Sequence, residues 1–373
     1  MALELTSLDR AALTPAVQKA ITGPARVMAA RGVMPLPSPG ELATALYELG
    51  LDEDPSIATA ARGTMAGLPD KVLAGVFADA HLDPRVLDWI STRALNQAAL
   101  FDALIRNPAI ADATVATLAG KAGDRDVEQI ATNEQRLLRH PEIIAAMYTN
   151  PNARMSTVDR AVELAVRNDV RVPGLAAWDE IARALDQDGP SGPDADARFA
   201  EIAAVLRGDD SALTTGDAEA IDPDESDEHL EKVAEQVKRE TQIEKMGVAE
   251  KIRTATIGNA FARAVLVRDV IKMVALAAIK SPAVSPIEAT RYAGSSGLDT
   301  DVIRHIAGQK QWTRLYAVKL RLSMNPKTPV PDVSRMLPHL RDKDLVKVSK
   351  SKGVSSAVVA QARKLISQRS GKK

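Results

Sequence analysis

Part of this chain occurs twice, and a duplication with fixed spacing restricts the fold more than any single motif within it. Asn107-Pro108 is echoed by Ser281-Pro282, Ile130-Ala131 by Ile306-Ala307, and Asn150-Pro151 by Asn325-Pro326, at offsets of 174, 176 and 175 residues. Within each copy the X-Pro step recurs after 43 residues (Pro108 to Pro151) or 44 (Pro282 to Pro326). Such a period belongs to small helical units that cannot bury an apolar face alone and have to stack on their neighbours. The expected fold class is all-α, an α-solenoid of HEAT/armadillo-like helical repeats in two duplicated blocks.

The residue pattern agrees. No segment keeps the period-two alternation of a strand, whereas Leu42, Ala45, Leu46 and Leu49 fall at i, i+3, i+4 and i+7, one buried helix face. Hydrophobic residues make up 45% of the chain but aromatics only 3%. The core is therefore built from Ala, Leu, Val and Ile, which lets helices approach closely. A residue before proline is pushed out of the α region and ends a helix. Proline is tolerated in the next first turn, where its missing N–H would be unpaired anyway. Asp83-Pro84, Asn107-Pro108, Asn150-Pro151, Ser281-Pro282 and Asn325-Pro326 are read as such steps. Asp112, Ser156 and Asp332 are read as helix starts, with Ser156-x-x-Asp159 as a capping-box variant.

Composition then divides the chain. Residues 1–35 read as an N-terminal extension, 36–180 as a helical-repeat block, 181–228 as an acidic Gly/Pro-containing linker, and 229–373 as a basic C-terminal helical-repeat block. From Asp186 to Glu228 there are 14 acidic residues against two basic ones, the composition of a solvated spacer. The net charge of −1 hides a wider split. Residues 251–373 carry 24 Lys+Arg and 7 Asp+Glu, net +17, and residues 1–250 carry 24 and 42, net −18. A basic field of that density attracts acidic proteins or phosphates, and the chain's own acidic linker is a further expected occupant of the basic block.

The residues expected to meet a partner follow from that charge. Trp312 stands among Lys310, Arg314, Lys319 and Arg321, an aromatic that can stack a base while cations hold phosphate. It has equally the spacing to pack between helices with Leu315 and Tyr316. Lys343, Lys347 and Lys350 share one stripe if they lie on one helix, and Arg363 and Lys364 extend the basic region. Such a stripe could track a phosphate backbone, and a charge run is also what a plain solvated face looks like.

Catalytic constellations are missing from the sequence. The five histidines (His81, His140, His229, His305, His339) are scattered singly, there is no cysteine, and neither a phosphate-binding Gly loop nor a serine nucleophile elbow occurs. No cofactor and no metal are expected. Residues 1–20 contain no apolar run, and Ala264–Ile279 is interrupted by Arg268, Asp269 and Lys272. No membrane insertion and a cytoplasmic location are expected.

Three passages resemble a known family: Ile130-Ala-Thr-Asn-Glu-Gln-Arg-Leu-Leu-Arg-His-Pro-Glu-Ile-Ile144, Asn150-Pro-Asn-Ala-Arg-Met-Ser-Thr-Val-Asp-Arg-Ala-Val-Glu-Leu-Ala-Val-Arg-Asn168, and Met246-Gly-Val-Ala-Glu-Lys-Ile-Arg253 with its continuation to Pro282. They are similar to uncharacterised cytoplasmic helical-repeat proteins of deltaproteobacteria and neighbouring groups, a family that brings no activity with it. Asn325-Pro-Lys-Thr-Pro329 also resembles leucine-rich-repeat-variant and HEAT-like units. The resulting expectation is a non-enzymatic scaffold or adaptor whose basic C-terminal block binds an acidic macromolecular partner. The alternative is a nucleic-acid-binding HEAT-like protein.

Overall fold

A computed structural model describes residues 5–206 and 240–370, and every regular element among them is a helix. The chain divides into two units, Met1–Gly174 and Leu175–Lys373. Short helices pack pairwise in each.

Two kinds of proline step punctuate them, where the sequence suggested one. In the first kind, Ser38, Asp54 and Asp83 cap the helices Pro39–Leu49, Pro55–Ala66 and Pro84–Ile90. Each side chain accepts a first-turn N–H, from Glu41 at 3.1 Å, Ser56 at 2.9 Å and Arg85 at 2.8 Å. Proline follows at the first helical position, its φ already helical.

The Asn-Pro steps work differently. Asn107, Asn150 and Asn325 close the helices Ala98–Arg106, Glu142–Thr149 and Tyr316–Met324, and their side chains turn back to an earlier helix end. Asn107 Nδ2 donates to the carbonyls of Phe77 and Asp79 at 2.8 and 2.9 Å. Asn150 Nδ2 donates to Ala119 and Ala122 at 2.8 Å each, and Asn325 Nδ2 to Ala293 and Ser295 at 2.9 and 3.0 Å. The partners lie 28–32 residues upstream, at the C-termini of Asp70–Ala78, Asp112–Ala119 and Pro286–Ala293, where carbonyls have no intrahelical donor. Each Oδ1 then accepts the N–H two residues on. One buried amide thus fixes a turn and docks it on an earlier helix end of the same unit.

The first unit starts earlier than the sequence suggested. Helices Pro15–Ala20 and Ala25–Ala30 pack on Pro39–Leu49, and Leu8, Leu13, Val17 and Ala29 are buried. Tyr47 donates its hydroxyl to the Thr6 carbonyl at 2.9 Å, and Glu48 accepts the Leu8 N–H at 2.6 Å. From residue 5 onward the expected extension therefore packs into the first unit and adds these side chains to its core. Ser156 is no cap either: the helix Met155–Arg167 begins before it and has no side-chain cap.

The second unit also claims sequence from the expected linker. Helix Trp178–Asp188 packs on Val248–Ile257 and Lys272–Lys280, and Pro193–Leu206 packs on Val248–Ile257. Buried Glu180 accepts two bonds from Lys280 Nζ at 2.8 and 2.9 Å. The Arg198 guanidinium forks onto Glu250 at 2.6 and 3.2 Å, and the fully buried Arg253 lies 4.2 Å from the centre of the Phe199 ring. Acidic composition misled here because Ala195, Phe199, Ile202 and Ala203 among these acids form one buried apolar face. Residues 207–228, with Asp209-Asp210, Asp222–Glu225 and the docking expected of them, lie outside the described residues.

Candidate partner-binding surface

The basic residues stand on their own apolar core. Helices Val330–Met336, Asp342–Lys350 and Ser356–Ser370 bury Val333, Leu337, Leu340, Leu345, Val348, Val358 and Ala362 together, with Tyr316 and Leu320 of Tyr316–Met324 packed against them. Burying this face points the cations outward. Lys343, Lys347 and Lys350 share helix Asp342–Lys350 and are all exposed, and so are Arg363 and Lys364. Lys310, Arg314 and Arg321 are exposed, and Lys319 is half-buried.

Trp312 does not join them. It is 6% exposed and meets the His305 ring edge-on at 6.0 Å, so it offers no free face to a base. Tyr316 is covered as well: the Arg341 guanidinium lies 4.8 Å from its ring centre and its hydroxyl donates to Asp344 at 2.5 Å. That hydrogen bond, opposed by burial and aided by Lys347, holds the Asp344 carboxyl below its usual range. Lys347 pairs with the same carboxylate at 3.2 Å and is partly neutralised.

The first unit deals with its cations otherwise. Arg125 pairs with Asp102 at 2.9 Å, Arg139 with Asp112 at 2.7 Å, Arg154 with Asp124 at 2.6 Å and Arg160 with Glu128 at 2.6 Å. In the second unit Leu276 and Pro286 stand 174 residues after Asp102 and Asp112, and Arg304 stands 176 after Glu128. The acids are gone or reversed. Among the described residues Lys310, Arg314, Lys319, Arg321, Lys343, Lys350, Arg363 and Lys364 make no ion pair. Arg291 is in the same state, and sequence reading passed over it because no other cation adjoins it.

Acid is concentrated beside this surface in the chain. Residues 175–250 hold 21 Asp+Glu and 7 Lys+Arg, whereas residues 1–174 hold 21 and 17. The opposition foreseen between the two halves is therefore chiefly one between residues 175–250 and 251–373, both in the second unit.

Two titratable groups elsewhere are perturbed by their neighbours. A cleft between Asp124–Ala131 and Met155–Arg167 contains Glu128, which burial pushes up and the Thr157 and Arg160 hydrogen bonds pull further down. His305 is lowered by burial and by Lys280, with Glu180 opposing, which disfavours its imidazolium form. Among the described residues no cluster of three or more His, Asp or Glu could hold a metal ion, and no helix is long and apolar enough to cross a membrane. No family model, curated protein or solved structure matches the chain, and the comparisons identify no family.

Proposed function

We propose that this protein is a non-enzymatic helical-repeat scaffold of α-solenoid type whose basic C-terminal region binds an acidic macromolecular partner. The observation that carries this reading is the contrast in pairing. Arg125, Arg139, Arg154 and Arg160 of the first unit are each met by a carboxylate, while Lys310, Arg314, Lys319, Arg321, Lys343, Lys350, Arg363 and Lys364 stand without one among the described residues. Unneutralised cations raise the local potential and speed the encounter with an anion. The recurrence of the Asn-Pro clamp supports the repeat architecture, because each clamp joins a turn to a helix end 28–32 residues before it. The covered rings of Trp312 and Tyr316 favour an acidic polypeptide over single-stranded nucleic acid, whose bases need an open aromatic face.

Fluorescence anisotropy of the full chain with labelled polyglutamate and with duplex DNA, from about 50 to 200 mM salt, tests the proposal. Polyglutamate is expected to bind, to weaken as salt rises, and to lose at least about tenfold in affinity when Lys343, Lys350, Arg363 and Lys364 are all changed to Gln. If DNA alone binds, at four phosphate contacts its affinity falls about a hundredfold over that range, and the nucleic-acid reading takes over. Silence of both probes at low salt would overturn the binding role altogether.

A further inference from the structure

We propose that a two-helix face of the second unit, made by Pro286–Ala293 and Tyr316–Met324, is the docking site for a short acidic segment with interspersed large apolar residues. The inference rests on the acidic-partner reading above and names the site and its ligand chemistry.

These two helices pack on one another. On the first, Ile287, Arg291 and Gly294 are exposed at i, i+4 and i+7; on the second, Ala317, Arg321 and Met324 repeat that spacing. Each set is one solvent-facing stripe. The stripes meet where the Arg321 side chain crosses the neighbouring helix end: a Cβ added at Gly294 would lie 2.8 Å from Arg321 Nη1 and 3.3 Å from its Cδ. Glycine at 294 therefore gives the guanidinium its seat.

The first unit contains the same arrangement with a different dressing. Helices Asp112–Ala119 and Glu142–Thr149 pack on one another, and a Cβ added at Gly120 would lie 3.8 Å from the Ala146 Cβ. Gly120 and Ala146 stand 174 and 175 residues before Gly294 and Arg321. At the other positions the first unit has Ala113, Thr117, Glu142 and Thr149 where the second has Ile287, Arg291, Ala317 and Met324. A face of small and polar residues with one glutamate has become one of two arginines and two large apolar side chains, and the acid is gone. Neither guanidinium makes an ion pair among the described residues, while Ile287 is 64% and Met324 39% exposed.

That combination selects its ligand. Arginine forks match carboxylate and phosphate alike. Apolar side chains beside them gain only when the ligand brings apolar surface of its own. A phosphodiester backbone brings none, and an acidic segment carrying leucine or phenylalanine brings both. Seven residues of helix span about 10 Å, so an extended segment of roughly four to six residues covers the face.

The test uses the full chain at about 100 mM salt and three labelled probes: a peptide alternating Glu and Leu, one of equal charge alternating Glu and Ser, and duplex DNA. The Glu-Leu peptide is expected to bind about tenfold more tightly than the Glu-Ser peptide. Ile287→Ser with Met324→Ser should erase that preference and leave Glu-Ser binding unchanged, and Arg291→Gln with Arg321→Gln should weaken both peptides. All four side chains are exposed, so unchanged helical circular dichroism and melting temperature should accompany these effects. Equal binding of the two peptides by the parent protein, a preference that survives in Ile287→Ser/Met324→Ser, or DNA binding that exceeds both and ignores these variants would each overturn the site. Polyglutamate binding that depends on Lys343 and Lys350 would still uphold the broader reading in those cases. If no anionic probe binds, both fall together.

Discussion

Glu288→Ala is expected to destabilise the second unit by about 3–5 kcal/mol, because it strands a buried guanidinium. Arg263 donates Nε and Nη2 to the two Glu288 oxygens at 2.9 and 3.1 Å, and both residues are less than a tenth exposed. Glu288 also accepts the Ser285 N–H at 2.9 Å in the capping box that starts Pro286–Ala293. The pair has a further task. Ser281 stands where an Asn would repeat the clamp, and its hydroxyl reaches only the Thr256 carbonyl, at 3.1 Å; Arg263 Nη1 supplies the donor for the second carbonyl, Gly258, at 2.7 Å. A serine and an arginine thus divide the work of one amide. Removing both charges with Arg263→Met and Glu288→Leu should cost less than Glu288→Ala alone. Adding Ser281→Asn to that pair should recover about 1 kcal/mol by bonding the freed carbonyl, whereas in the parent protein it should change little. Urea unfolding, with amide exchange reading the second unit, ranks the variants, and no recovery from Ser281→Asn would refute the shared-clamp account.

The same site fixes the sign of one pH effect. Burial raises the Glu288 carboxyl, but the hydrogen bonds from Arg263 and Ser285 outweigh it and set the folded-state pKa below the ordinary value. Its contribution is complete above the unfolded-state pKa and is lost as pH falls through the folded-state one. The gap in stability between parent and Glu288→Ala should therefore narrow in acid.

Helix positions were legible in the sequence because their causes are local. Ser38, Asp54 and Asp83 cap helices within three residues of themselves, and proline and periodicity speak over similar ranges. The 43- and 44-residue spacing was legible too, but its cause was not. The 43-residue step separates Asn107 and Asn150, whose amides bond carbonyls 28–31 residues away, and the 44-residue step leads from Ser281 to the clamp of Asn325. No local pattern tells an Asn that caps from an Asn that reaches back.

Charge was the poorer guide for a related reason. Ala195, Phe199 and Ile202 fall in the stretch read as a solvated, acidic linker, yet each is buried. Arg198 in the same stretch pairs with Glu250, 52 residues away in the chain. Trp312 offered two readings, a ring among cations that could stack a base and a ring packed between helices; in space it is covered and its neighbour is His305. The face around Arg321 was invisible for the converse reason, since Ile287, Arg291 and Gly294 belong to it only once two helices are packed together.

Asn150→Ala is expected to cost the first unit about 2–5 kcal/mol, since two buried carbonyls lose their donor at about 1–3 kcal/mol each. Asn150 is 1% exposed, and Ala119 and Ala122, whose carbonyls it bonds, are fully buried. Water cannot replace the amide there without opening the turn. Asn150→Asp discriminates between packing and donation, because it keeps the side chain's shape and the acceptor for the Asn152 N–H while turning a donor into an oxygen aimed at two others. At pH 7 it should destabilise at least as much as alanine. Its carboxyl should titrate above the usual range, burial and facing carbonyls both disfavouring the anion. A raised folded-state pKa makes the stability of this variant increase as pH falls, opposite in sign to the acid loss at Glu288. If Asn150→Asp instead matches the parent protein at pH 7, the side chain serves only to fill space and does not clamp the turn to the earlier helix.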